Sequence, residues 1–262
     1  MQSDLVIMEE REGYASIELN RPEKLNALTP TMLSALRGAI TLAVQDSRYR
    51  AILLTGRGKG FCSGKDITAR PVNIPEDPSA KRALELLYNP IIRAIVTSEK
   101  PVICAVNGVA AGAGANIALA CDFVLAGRSA RFIQSFVKIG LIPDCGGTYF
   151  LPRLLGRARA LGLTMLGDGI SAEEAAAMGM IWRCTDDDAL EGEARALALR
   201  LSAMPTIAIS LIKKAVSLSL QNDLDAQLEL ERECQAIARE TEDYKEGLKA
   251  FAEKRTPAFR GR

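Results

Sequence analysis

Two glycine-rich loops supply the main chemistry in this sequence, and that chemistry is carried by backbone N–H groups. The first loop, GRGKGFCSGKDI, follows an apolar strand predicted from Ala51 to Thr55. The second follows a predicted strand from Pro101 to Val106, and a helix of small residues from about Gly114 to Cys121 comes after it. Small residues let a ligand approach the N–H groups closely, and the N-terminus of a helix carries about half a positive charge. The loops therefore predict a cradle for an anion or for a developing oxyanion.

Neither glycine-rich loop matches a known motif for binding nucleotide phosphates. The pair Gly64-Lys65 suggests a P-loop, but Lys59 and Asp66 stand where that motif needs Gly and Ser or Thr. A dinucleotide-binding G-x-G-x-x-G motif also fails, because the sixth residue counted from Gly56 or from Gly112 is not glycine. Each loop alone is most simply a tight turn. Together they could each donate one N–H to a single oxygen.

The absence of histidine limits the acid–base groups. It excludes Ser–His and Cys–His catalysis and every histidine-ligated metal, so proton transfer falls to Asp, Glu, Lys, Tyr or Cys. The six cysteines are scattered without a C-x-x-C pair, so we predict neither a metal site nor a disulfide framework. Cys145 lies beside a Gly-Gly turn, but without a histidine to activate it a buried thiol is favoured over a nucleophile.

Composition indicates an ordinary globular chain. It has 262 residues, of which 48% are hydrophobic, and a net charge of +1, which does not favour nucleic-acid partners. The N-terminal MQSDLVIMEEREG is acidic where a signal peptide would be basic and then apolar, so a cytoplasmic location is expected. The uncharged stretch Val102 to Cys121 approaches the length of a membrane span. Its Gly, Ala and Asn content favours a buried strand–loop–helix instead, so no membrane association is predicted.

Strand and helix patterns predict an α/β core followed by a helical region. Strand signals alternate with helix signals as far as about Ala189, and only helices are predicted beyond it. We therefore divide the chain into a core that carries the site, residues 1–195, and a C-terminal helical region, residues 196–262. The proline-rich segment Arg70 to Ser79 is predicted to be a mobile loop, and the following helix, Ala80 to Val96, to be kinked at Pro90.

Five segments carry a resemblance across almost the whole chain: RPEKLNAL, GFCSGKDI, KPVICAVNGVAAGAGA, IPDCGGT and FAEKR. In this order they resemble the enoyl-CoA hydratase/isomerase, or crotonase, superfamily. The resemblance implies a spiral of ββα units with a C-terminal helical trimerisation region, and a homotrimer or a dimer of trimers. It also implies an acyl-CoA thioester as substrate, with no separate cofactor.

The resemblance further implies roles for individual residues. The N–H groups of Lys65 and Ala113 would hold the thioester oxygen. The coenzyme A moiety would lie against residues of the first loop and of the FCSGKDI segment, namely Lys24, Leu25, Ala27, Ser63, Asp66 and Ile67. Phe251 and Lys254 would reach the coenzyme A of a neighbouring subunit. Lys24 and Lys254 could equally well be solvated surface cations that do not contact coenzyme A.

The sequence departs from the hydratases of this family at both catalytic glutamates. Asn116 and Phe136 occupy those positions, and neither can act as a base, so simple hydration is disfavoured. Asp144 is the acid in the matched motifs that could reach the acyl group. It could instead cap the helix that starts near Gly146. Burial against apolar neighbours would raise its pKa from the usual value of about 3.9 and suit it to move a proton, so we favour catalysis.

One carboxylate beside an oxyanion hole predicts an acyl-CoA isomerase. FVKIGLIPDCGGT, YNP and GMIWRCTDD are especially similar to the ring-epoxide isomerases of aerobic phenylacetate breakdown. This similarity implies conversion of 1,2-epoxyphenylacetyl-CoA to the oxepin-CoA, double-bond shifts in unsaturated acyl-CoA, and a hydratase of the same pathway as a possible partner. Phe132, Ile133 and Phe136 could accommodate the ring or simply pack in the core. The alternatives are an enoyl-CoA hydratase and a non-catalytic acyl-CoA-binding subunit of a hydratase complex.

Overall fold

Two β-sheets and ten α-helices make up the fold. A computed structural model describes residues 5–68 and 80–262 of the chain. The strands are β1 (Val6–Arg11), β2 (Tyr14–Leu19), β3 (Ala51–Gly56), β4 (Gly60–Cys62), β5 (Val102–Val106), β6 (Val109–Ala111), β7 (Phe123–Gly127), β8 (Arg131–Ile133), β9 (Gly169–Ser171) and β10 (Arg183–Thr185). The helices are α1 (Pro30–Gln45), α2 (Ala80–Ala83), α3 (Asn89–Val96), α4 (Ala113–Leu119), α5 (Gly147–Leu166), α6 (Ala172–Ala177), α7 (Leu190–Ser202), α8 (Thr206–Leu218), α9 (Leu224–Glu240) and α10 (Glu242–Glu253).

The strands form a spiral of ββα units, as the sequence predicts. The larger sheet has the order β1-β2-β3-β5-β7-β10, and the smaller has the order β4-β6-β8-β9. The pairs β3–β4, β5–β6 and β7–β8 each place their first strand in the larger sheet and their second in the smaller one, and helical segments follow each pair. The chain is therefore an α/β fold in which each of these three turns of the spiral adds one strand to each sheet, whereas β1 and β2 both join the larger sheet.

Helices cover both faces of the larger sheet. Every residue of β5 is buried, as expected for a parallel strand in the middle of a sheet. Apolar residues of α1 and α3 pack on one face, and α7 packs on the other through Leu190, Ala194, Ala198 and Leu201. The segment from Val102 to Cys121, which has almost the length of a membrane span, is the buried β5–β6–α4 unit. Within residues 5–68 and 80–262 no single helix is long and apolar enough to cross a membrane, although the bent pair α7 and α8 qualifies by length and composition alone.

Three local sequence signals predict features that the structure confirms. Thr29 before Pro30 predicts a helix cap, and Thr29 caps α1 by accepting a hydrogen bond from the Met32 N–H at 3.2 Å. Ser171 and Glu174 have the spacing of a capping box and form one at the start of α6. Thr148 to Leu166 predicts a helix in two pieces, and α5 is interrupted at Gly156, where φ is +72°.

Other element predictions need correction. The three-residue strands β4, β6, β8 and β9 were not predicted, because so few residues show no alternation. The residue pattern predicts that the first helix after Ala189 runs from Leu197 to Met204, but α7 starts at Leu190. The proposed boundary after residue 195 therefore falls inside a helix that packs on the sheet. The division into two parts remains a prediction, with its boundary better placed after Ser202. The predicted loop Arg70–Ser79 lies outside the described residues.

A π-helical turn precedes Pro90, where the sequence predicts a kink. Residues Leu84–Tyr88 form one turn of π-helix between α2 and α3, and the Asn89 N–H bonds to the Leu84 carbonyl. Proline has no N–H, and its ring crowds the carbonyl four residues earlier, here that of Leu86. A wider turn accommodates both effects.

The contact between the two units that carry the glycine-rich loops leads to a first prediction. A Cβ added at Gly114 of α4 would lie 2.4 Å from the Cys62 carbonyl oxygen, which is backbone and cannot move aside easily. We expect Gly114→Ala to lower the free energy of unfolding by about 1–3 kcal/mol, as overpacking does in cores. Gly162→Ala is the matched control, because nothing lies within 4 Å of its Cβ position on α5. It should be neutral or stabilising by about 0.5–1 kcal/mol. Urea unfolding of both variants measures the difference, and equal stabilities would contradict the prediction.

Candidate active site

The two glycine-rich loops meet because they follow neighbouring parallel strands. Strand β4 pairs with β6, with Gly60 opposite Val109 and Cys62 opposite Ala110. The carboxyl ends of parallel strands lie at the same edge of a sheet, so the segments after Cys62 and after Ala111 emerge side by side. The predicted convergence of the loops is therefore a consequence of the register between β4 and β6.

Glycine is required where the loops touch. Gly64 has φ +87°, and a Cβ there would lie 2.7 Å from the Ala111 carbonyl oxygen and 3.6 Å from the Ala113 nitrogen. Gly112, which precedes α4, has φ +53°. Both conformations strain any residue with a Cβ. The backbone of Gly64 therefore packs directly against the start of α4.

The N–H groups of Lys65 and Ala113 are left without protein acceptors at this junction. Leu28 pairs with Lys65 in a parallel bridge: its N–H donates to the Gly64 carbonyl at 2.7 Å, and its carbonyl accepts from the Asp66 N–H at 3.0 Å. Both bonds use the residues flanking Lys65, so the Lys65 N–H points away from Leu28. Ala113 is the first residue of α4, and its N–H has no acceptor within the helix. No hydrogen bond from either N–H to a described residue is found.

These groups border a cavity of about 400 Å³. Seven of the predicted site residues line it: Ala27, Ser63, Lys65, Asp66, Ile67, Ala113 and Asp144. Its remaining walls include side chains that are mostly apolar or aromatic: Tyr88, Ser135, Phe136, Lys138, Ile139 and Leu141. The structure therefore brings the two loops and the predicted carboxylate into one space.

Asp144 is a half-buried carboxylate whose geometry suits proton transfer. One of its side-chain oxygens is fully buried and has no hydrogen-bond partner among the described residues. Burial raises the pKa of Asp144, while a hydrogen bond with Cys145 and the positive charge of Lys65 oppose the rise. The alternative that Asp144 caps a helix is not supported, because Gly146 is the residue preceding α5 and no side chain caps that helix.

Asn116 and Gln134 hold the segment that carries Asp144. The Asn116 side-chain amide donates to the Asp144 carbonyl oxygen at 2.7 Å, and its oxygen accepts from the Gln134 amide at 2.8 Å. Both side chains are buried, at 0% and 4% exposure. Asn116 therefore has a positioning role. That role could not be read from the sequence because its partner is a backbone atom 28 residues away.

The apolar residues predicted to surround an acyl group divide into two sets. Phe136 lines the cavity, whereas Phe132 is buried in the main core. Ile133 lies on β8 outside the cavity wall. The Cys145 thiol is buried, and burial raises its pKa, so it is the inert thiol that the sequence favours.

The predicted coenzyme A residues are only partly assembled within one chain. Lys24 and Leu25 do not line the cavity, but their carbonyl oxygens accept hydrogen bonds from Ser63, which does. Phe251, 87% exposed, and Lys254 lie at the end of α10 and outside the cavity wall. Asp66 is on the wall, but its carboxylate is held by Thr68 and by Arg21 at 2.6 Å. These hydrogen bonds lower the pKa of Asp66.

Sequence reasoning missed two residues that shape the first loop. Asn26 is fully buried with φ +55°, and its side-chain amide donates to the Gly60 carbonyl at 2.8 Å and the Arg57 carbonyl at 3.0 Å. Arg21 pairs with Asp66 and also donates to the Ala27 carbonyl at 3.1 Å. The RPEKLNAL motif thus ties the loop to the FCSGKDI segment. Within the described residues, no cluster of three or more Cys, Asp or Glu side chains could hold a metal ion.

Comparison with known proteins agrees with this geometry. The model of the enoyl-CoA hydratase/isomerase family matches residues 9–262. The chain is 46% identical to the 1,2-epoxyphenylacetyl-CoA isomerase of Escherichia coli, over 99% of each chain, and 46% identical to a probable enoyl-CoA hydratase of Rhodobacter capsulatus, over 96% of each. The crystal structure of an enoyl-CoA hydratase from Bacillus anthracis has a TM-score of 0.91 and 33% identity, covering 98% of this chain and 100% of that one. This chain belongs to the enoyl-CoA hydratase/isomerase family.

Proposed function

We propose that the protein is an acyl-CoA isomerase in which the Lys65 and Ala113 N–H groups form an oxyanion hole and Asp144 moves the proton. The observation that carries this proposal is the meeting, in one cavity, of two backbone donors without acceptors and one partly desolvated carboxylate. The coenzyme A thioester is the substrate, and the reaction uses no separate cofactor.

The chemistry follows from these three groups. The thioester oxygen accepts hydrogen bonds from Lys65 and Ala113, which draws electron density from the neighbouring carbon and makes its hydrogen acidic. The Asp144 carboxylate removes that proton, and the electron pair moves onto the thioester oxygen to give an enolate. The carboxylic acid then returns the proton to another carbon of the acyl group. For a double-bond shift, the net reaction moves one proton and one double bond, without water and without any change in oxidation state. For a ring epoxide, the carbon–carbon bond shared by the epoxide and the six-membered ring also breaks, and its electron pair enters the double bonds of the seven-membered ring.

An oxygenated, ring-containing acyl group is the substrate that we favour. Phe136, Ile139 and Leu141 give the cavity an apolar wall beside Asp144, and the Escherichia coli relative is named for 1,2-epoxyphenylacetyl-CoA. Incubation with this thioester should yield the oxepin-CoA, recognised by unchanged mass and an altered ultraviolet spectrum.

The hydratase name of the Rhodobacter capsulatus relative favours a second candidate, water addition to an enoyl-CoA. Crotonyl-CoA tests it, because hydration adds the mass of one water.

We further propose that the coenzyme A site is completed in a homotrimer or a dimer of trimers. Helix α8 has no buried residue in the isolated chain, and large apolar side chains are exposed along α8 to α10, namely Ile212, Val216, Leu220, Leu224, Leu228, Leu248 and Phe251. Such a surface fits burial against other copies of the chain. Phe251 and Lys254 would then reach the coenzyme A that lies against Lys24, Leu25 and Ala27 of a neighbour. Light scattering coupled to size exclusion measures the assembly, and a monomer would contradict this proposal. A hydratase of the same pathway remains a proposed partner.

Removal of the Asp144 carboxylate should abolish turnover and spare binding. Asp144→Asn keeps the shape of the side chain but cannot accept a proton, so we expect kcat to fall roughly 10²–10⁴-fold, the usual contribution of general acid–base catalysis. Affinity for the acyl-CoA, measured by calorimetry, should change little. Asp225→Asn on the exposed surface of α9 is the control and should match the wild-type protein. Unchanged turnover in Asp144→Asn would remove this residue from the mechanism.

The same substitution should also stabilise the fold at neutral pH. Because burial raises the pKa of folded Asp144, the folded state resists its ionisation, and wild-type stability falls as pH rises from the unfolded pKa of about 3.9 through the folded value. Asp144→Asn removes this penalty, so its melting temperature should exceed that of the wild type at pH 7. The difference should disappear below about pH 3.9, where Asp144 is protonated in both states.

Asp66 provides a matched comparison, because hydrogen bonds lower its pKa. Asp66→Asn should melt below the wild type at pH 7, with a difference that shrinks as pH falls through the lowered folded pKa. Thermal unfolding of the two variants across pH measures both effects. Shifts of the same sign in the two variants at pH 7 would contradict the assignment of opposite pKa shifts.

A further inference from the structure

The Tyr88 hydroxyl has no partner among the described residues. Tyr88 ends the π-helical turn Leu84–Tyr88, is only 6% exposed and lines the same cavity as Ala113 and Asp144. The hydroxyl of a buried tyrosine normally has a hydrogen-bond partner. No hydrogen bond from the Tyr88 hydroxyl to a described residue is found, and this oxygen is not among the fully buried polar atoms that lack a partner. The hydroxyl is therefore open to the cavity, and its partner is something that enters there, either water or a bound acyl group.

The surroundings of Tyr88 keep its hydroxyl protonated. Burial raises the pKa of the phenol, and the negative charge of Asp144 raises it further. The hydroxyl is therefore protonated at neutral pH and can act as a donor. Tyr88 and Asp144 line the same cavity.

The other groups of the cavity already have assigned partners or are open to water. The Lys65 and Ala113 N–H groups are directed at the thioester oxygen, and Asp144 at a carbon-bound proton. Ser135, the other hydroxyl without a partner on this wall, is half-buried and can be hydrated. Tyr88 remains as a largely buried side chain whose hydroxyl has no acceptor among the described residues.

We propose that Tyr88 is a specificity-determining residue whose hydroxyl donates to an oxygen carried by the acyl group, so that the site prefers acyl thioesters with an oxygenated ring over plain hydrocarbon ones. This inference rests on the proposed function, because it takes Asp144 and the two N–H groups as the site of proton transfer. An acyl oxygen close to the carbon that loses its proton satisfies the Tyr88 hydroxyl. A hydrocarbon group leaves that hydroxyl dehydrated and unpaired, which lowers affinity.

A purely structural role for Tyr88, as an orienting partner of Asp144, fits the geometry less well. Such a role requires a hydrogen bond between the two side chains, and none between Tyr88 and Asp144 is found in the described part of the chain. Both side chains line the same cavity.

Binding of unreactive analogues tests the inference separately from catalysis. Calorimetry compares 2-hydroxyphenylacetyl-CoA, which carries a ring oxygen, with phenylacetyl-CoA, which does not. The wild-type protein should bind the first about 10-fold more tightly, as one additional hydrogen bond in a desolvated site allows. Tyr88→Phe should bind the two analogues about equally, with its affinity for phenylacetyl-CoA unchanged or improved. Tyr14→Phe, a buried tyrosine in the other core cluster, and Ser135→Ala are the controls and should keep the preference.

Each outcome decides a different point. Three results would overturn the inference and leave the proposed function standing. They are equal binding of both analogues by the wild type, a preference that Tyr88→Phe keeps, and a loss of the same amount of affinity for both analogues in Tyr88→Phe. If the wild type binds no coenzyme A thioester at all, the proposed function itself fails. Should Tyr88→Phe not fold, wild-type binding of 2-hydroxyphenylacetyl-CoA and 4-hydroxyphenylacetyl-CoA supplies the test. Equal affinity for these two positional isomers overturns the inference.

Discussion

The parallel pairing of β4 with β6 is the constraint on which the site depends. Each strand has only three residues, yet their register fixes where two distant segments of the chain leave the sheet. The carbonyl groups of Cys62 and Ala111 then approach Gly114 and Gly64 so closely that no side chain fits between them. Backbone packing thereby fixes the two N–H groups at the junction. Preorganised donors of this kind do not have to reorient when charge develops on a substrate.

The polar side chains around this junction form two groups: those that hold the loops in place and those that are available to react. Asn26, Asn116 and Arg21 are engaged with backbone carbonyls and keep the loops in place. Asp66 belongs to the group that holds the loops, because Arg21 and Thr68 donate hydrogen bonds to its carboxylate. Asp144, on the same cavity, has a buried oxygen with nothing bound to it. Two aspartates in one cavity thus have opposite pKa shifts because one is hydrogen-bonded and the other is desolvated.

Sequence patterns predicted the parts of the fold that rest on local rules. Periodicity and capping chemistry predict the strands of five or six residues, the helix caps and the helical C-terminal region. The motif resemblance implied the spiral and the meeting of Lys65, Ala113 and Asp144. The small sheet was missed, since three residues carry no period. The link between Asn116 and the Asp144 carbonyl was missed because a bond to backbone leaves no trace in residue type. The extent of α7 was underestimated because Glu191 and Glu193 obscure its apolar face.

The π-helical turn before Pro90 affects how this chain can change its length. A π-turn contains one residue more than the α-turn it replaces, so deletion of any single residue between Leu84 and Tyr88 could restore a regular helix. The helix on either side would keep its register in that case, because the five residues of the wide turn cover about the rotation that four residues cover in an α-helix. The extra residue is therefore absorbed locally, and Tyr88 can line the cavity while Ile91 and Ile95 stay in the core. A one-residue change of length at this turn alters which side chains occupy the wide turn and leaves the packing of the helix beyond it in place.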